Sequence, residues 1–103
     1  MTDPGEALRH AVDAAIAFRS TLDDRAVAGP IDLESLSDRF GTSTPDQPLD
    51  PAAVVEELVR AAEPGLVATP GPRFFGFVIG GSLPSAAAAD ILATGWDQCA
   101  FNG

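Results

Sequence analysis

Few residues in this chain of 103 could do chemistry, and what is missing narrows the field as much as what is present. There is no Lys and no Tyr, so a lysine imine or a phenol acting as acid or base is excluded within this polypeptide. Cys99 is the single thiol. Its neighbours Asp97 and Gln98 offer no basic partner to lower its pKa, so it is expected to be a buried, inert thiol. One Cys also excludes an internal disulfide and fits a reducing compartment. His10 is the one imidazole, beside Arg9, with no Cys or second His at ligand spacing. It is expected at a surface or interface rather than as a metal ligand or base. Asp90 and Asp97 are seven residues apart, about two helical turns, and would share a face. Such a pair could do acid–base work, but a structural ion pair with Arg73 is the first expectation. Gly76, Gly80 and Gly81 lack the spacing of either phosphate-loop fingerprint, and no Lys-Ser/Thr pair follows them.

The elements that must position these residues can be read from spacing. Thr2 or Asp3 can cap a first helix that begins at about Pro4 and runs to about Asp24, with Leu8, Val12, Ala15, Ile16 and Leu22 on one stripe. Gly29-Pro30 ends that segment. A short helix is expected within residues 31–40, with Leu33, Leu36 and Phe40 facing one way and Gly41 stopping it. Residues 42–50 read as a polar, proline-bearing loop. Asp50-Pro51 starts a third helix reaching about Glu63, with Pro64-Gly65 after it. The run Phe74 to Ile79 is aromatic and β-branched and reads as a strand or extended segment. Pro84 opens a fourth helix to about Gln98, where Trp96 would serve packing. The fold class is therefore mainly α, three to four helices plus one extended segment. Residues 1–65 form a helical unit and 66–103 an apolar one.

Charge divides along the same line. Fifteen acids face six basic residues, all Arg, for a formal charge of −9. That balance argues against nucleic acid and against an anionic membrane surface. The N-terminus lacks a basic-then-apolar export pattern, so a cytoplasmic location is expected. Residues 74–89 carry no charge, but Gly80, Gly81 and Pro84 interrupt them, and a membrane span needs about 20 predominantly apolar residues.

Phe74, Phe75, Phe77, Val78 and Ile79 pose a sharper problem. Burying one such side chain contributes roughly 1.5–3 kcal/mol, so five come to about 10 kcal/mol, comparable to the stability of a whole domain. No second convincing strand exists to pair with theirs, and an unpaired edge leaves backbone groups open. The C-terminal part is therefore expected to lie against a larger body, either more of the same chain or another subunit. The ending Phe101-Asn102-Gly103, directly after a helix, adds to the expectation of a longer protein.

Pro72-Arg73-Phe74-Phe75-Gly76-Phe77, then Gly80-Gly81, Ala89-Asp90 and Trp96-Asp97-Gln98, resemble in that order the N-terminal part of the group II pyridoxal-phosphate-dependent amino-acid decarboxylases, which include the aromatic-L-amino-acid and glutamate decarboxylases. The resemblance covers about thirty residues (70–98) and is weaker before them, where it rests on helix layout. Gly71 stands where many relatives have His, and Cys99 where Asn is common; these departures leave the subfamily open. The resemblance implies a portion of an aspartate-aminotransferase-like (fold type I) enzyme, usually a homodimer, whose N-terminal helices wrap the partner subunit. It implies that Phe77, Val78, Ile79 and Gly80, with Phe101, line the substrate side chain. It implies pyridoxal 5′-phosphate in the parent enzyme as the electron sink when carbon dioxide departs. The cofactor-bearing Lys of such enzymes lies later in the chain, so none of the cofactor is expected on these residues alone and they are expected to be inactive by themselves. The apolar wall leans toward an apolar or aromatic substrate over glutamate. The alternatives are a free-standing helical dimerisation module and an unrelated helical binding protein with an apolar groove.

Overall fold

A computed structural model describes residues 3–29, 31–41, 43–79 and 81–99. It is mainly helical: α1 (Pro4–Ser20), α2 (Leu33–Asp38), α3 (Pro51–Ala62) with a 3₁₀ turn at Glu63–Gly65, and α4 (Pro84–Trp96). Among the described residues there is no β-strand, only an isolated antiparallel bridge between Ala28 and Val67.

Three of the four helices begin on an aspartate whose carboxylate takes up an orphan backbone N–H. Asp3 accepts from Gly5 N–H at 2.9 Å, Asp32 from Ser35 N–H at 2.7 Å and Asp50 from Ala53 N–H at 3.3 Å. The Gly5 N–H, helped by the Arg9 guanidinium, holds the Asp3 carboxyl below the usual carboxylate value. The Ser35 N–H and hydroxyl do the same for Asp32. The fourth helix starts at Pro84 behind Leu83 with no side-chain cap. α1 stops at Ser20 rather than near Asp24, because hydroxyls compete with the backbone there. Ser20 Oγ donates to the Ala17 carbonyl at 2.9 Å and Thr21 Oγ1 to the Phe18 carbonyl at 2.9 Å.

α1 packs along α3, the one extensive helix pair among the described residues. Among the described residues the buried hydrophobic side chains are all small: Ala52 and Ala61 on α3, and Ala68 just beyond it. Alanine contacts bring backbones close but remove little apolar surface from water. The molecule is correspondingly open. Its radius of gyration is 16.2 Å, against about 13 Å for a compact chain of 100 residues.

Arginines supply much of the remaining cohesion. Arg39, just after α2, donates to the carbonyls of Ala61 (3.1 Å) and Arg60 (2.5 Å) at the end of α3, where helical carbonyls lack partners. Arg19 on α1 reaches the Ser82 carbonyl at 2.9 Å. Arg25 pairs with Glu63 at 3.1 Å and lies 4.5 Å over the Phe18 ring. Between these ties the strip 66–71 runs beside 27–29. Ala68 N–H donates to the Val27 carbonyl at 2.7 Å. Gly29 is required there, since a Cβ at that position would sit 2.4 Å from the Pro64 carbonyl oxygen.

Candidate functional site

The segment 74–79 is the place to look first, and it departs from the extended strand read from its composition. Phe74 N–H donates to the Gly71 carbonyl (3.4 Å) and Ile79 N–H to the Gly76 carbonyl (3.3 Å), so the chain turns twice. The Phe74 and Phe77 rings stack with centroids 6.4 Å apart. The physical reason is the missing partner: with no second strand to take up backbone groups, local turns satisfy them instead. The side chains pay no heed to a core. Phe75 is 92% exposed, Phe77 90% and Val78 102%. Ile79 is exposed as well. Phe77, Val78 and Ile79 thus share a surface turn and enclose no cavity. Gly80 and Phe101, the other two residues expected in a pocket wall, lie outside the described residues.

α4 continues the same exposed apolar surface. Leu83, Ile91, Leu92 and Trp96 all face solvent, so Trp96 does not serve packing within these residues. A helix this apolar on all sides is normally buried. Asp90 borders a cleft of about 240 Å³ between α4 and α1, with Leu8, Val12 and Ile91. Asp97 leaves the helical path, with φ of 49° at its C-terminus, so the two carboxylates do not share a helical face. The expected ion pair of Arg73 with Asp90 or Asp97 is absent among the described residues; Arg73 donates instead to the Arg25 carbonyl. Cys99 is exposed rather than buried, because nothing in the described chain covers the stretch after α4.

His10 lies where α1 meets α3, half-exposed, with Nε2 3.7 Å from Glu6 Oε1 and 3.4 Å from Glu56 Oε1. This agrees with a surface or interface role. Among the described residues, no group of three or more His, Cys, Asp or Glu is arranged to hold a metal ion.

An apolar groove of about 480 Å³ runs between α1 and α3 and is lined by Ala14, Phe18, Leu58, Val59, Ala62 and Leu66. Arg25 closes one end of it through its Glu63 pair and its stack on Phe18. Nothing in the local sequence points to Arg25. Glu63 is 38 residues away, and no local spacing joins the two.

The donor set does not fit pyridoxal phosphate. The chain contains no lysine amine, and the imidazole that could stack on a ring is engaged by two carboxylates that would repel a phosphate. Compared with known proteins, the chain matches no family model, and no curated protein or solved structure shows significant similarity to it. No described helix is long and apolar enough to cross a membrane.

Proposed function

We propose that these residues are the N-terminal helical part of a cytoplasmic pyridoxal-phosphate-dependent amino-acid decarboxylase. In this reading they supply subunit contacts and one wall of the substrate pocket, while a Lys-bearing domain outside them binds the cofactor and carries the reaction. The observation that carries it is the near-complete exposure of Phe75, Phe77 and Val78, within the very motif that resembles the decarboxylases. An apolar run this exposed, where the buried hydrophobic side chains among the described residues are three alanines, fits a surface made to be covered. The apolar wall favours an amino acid with an apolar or aromatic side chain.

The test is the gene around these codons. The same reading frame, or one beside it, is expected to encode a domain with the cofactor lysine. The two products together are expected to show the visible absorbance of lysine-bound cofactor and to release carbon dioxide from an amino acid. A locus with no such domain refutes the proposal. The exposed apolar faces of α1 and α4, with Leu8, Ile16, Leu92 and Trp96 open to solvent, favour a second reading as a self-associating helical module. A monodisperse dimer with cooperative melting in light scattering and calorimetry would support that module; aggregation of the isolated chain would count against it.

A further inference from the structure

We draw no further inference here: the strongest candidate, the apolar groove between α1 and α3 that Arg25 closes at one end, carries nothing, because Glu63 already pairs with that guanidinium and nothing in the structure shows what covers the groove.

Discussion

Replacing Phe75 with alanine should barely change the stability of this chain. Full burial of a phenylalanine contributes roughly 1.5–3 kcal/mol. Phe75 is 92% exposed, so less than a tenth of that gain is realised and the substitution should cost about 0.2 kcal/mol. An enclosed phenylalanine would lose about 3–5 kcal/mol on the same change, more than ten times as much. Urea unfolding followed by circular dichroism separates the two, provided the slope with denaturant is unchanged. Phe74 is the internal contrast: it is half-buried and its ring lies against Gly76 and Phe77, so Phe74→Ala should cost about 1–2 kcal/mol. A loss above about 2 kcal/mol for Phe75→Ala would mean that the chain encloses its own phenylalanines, and the case for an external covering body would lose its physical basis.

Gly29→Ala should destabilise by about 1–3 kcal/mol, because its Cβ would meet the Pro64 carbonyl oxygen at 2.4 Å and both groups are backbone. For a chain of this size that lowers the melting temperature by about 4–8 °C per kcal/mol, while Gly41→Ala, with nothing within 4 Å, should stay within about 0.5 kcal/mol of wild type. The Asp3 and Asp32 carboxyls are held below their ordinary value, so their capping contribution is complete above about pH 4 and fades as pH falls through the depressed folded-state values. Asp3→Asn/Asp32→Asn keeps the caps but removes the titration, so its helical signal should fall less than wild type between pH 5 and pH 2; superimposable acid titrations would disprove this.

What was legible beforehand was local. Asp3-Pro4, Asp50-Pro51 and Pro84 mark helix starts in the linear text because cap and first turn are neighbours in the chain. The mainly α architecture followed from these marks. Apolar spacing continues to Leu22 and so extends the expected α1 past its end, whereas the hydroxyls of Ser20 and Thr21 turn back on the preceding carbonyls. The strand or extended segment expected at 74–79 differs from the observed turns for another reason. Side-chain preference describes what those residues do beside a partner strand, and the described residues hold no strand to pair with. Charge alone matches Arg73 to Asp90 or Asp97, whereas its guanidinium reaches a carbonyl 48 residues back. The candidate site was legible as an apolar surface, since its lack of charge is written in residues 74–89. Its turned backbone was not.

The arginine ties have an asymmetric consequence for how this chain can change. Arg39 and Arg73 each end on a peptide oxygen, at Arg60 and Ala61 and at Arg25 respectively. Every residue type carries that oxygen, so the accepting positions can drift freely without loosening the tie. The donating positions have no such latitude. A lysine ammonium keeps the charge but loses the planar fork that lets Arg39 grip two oxygens at once. Sequence divergence should therefore accumulate on one side of each tie and stall on the other.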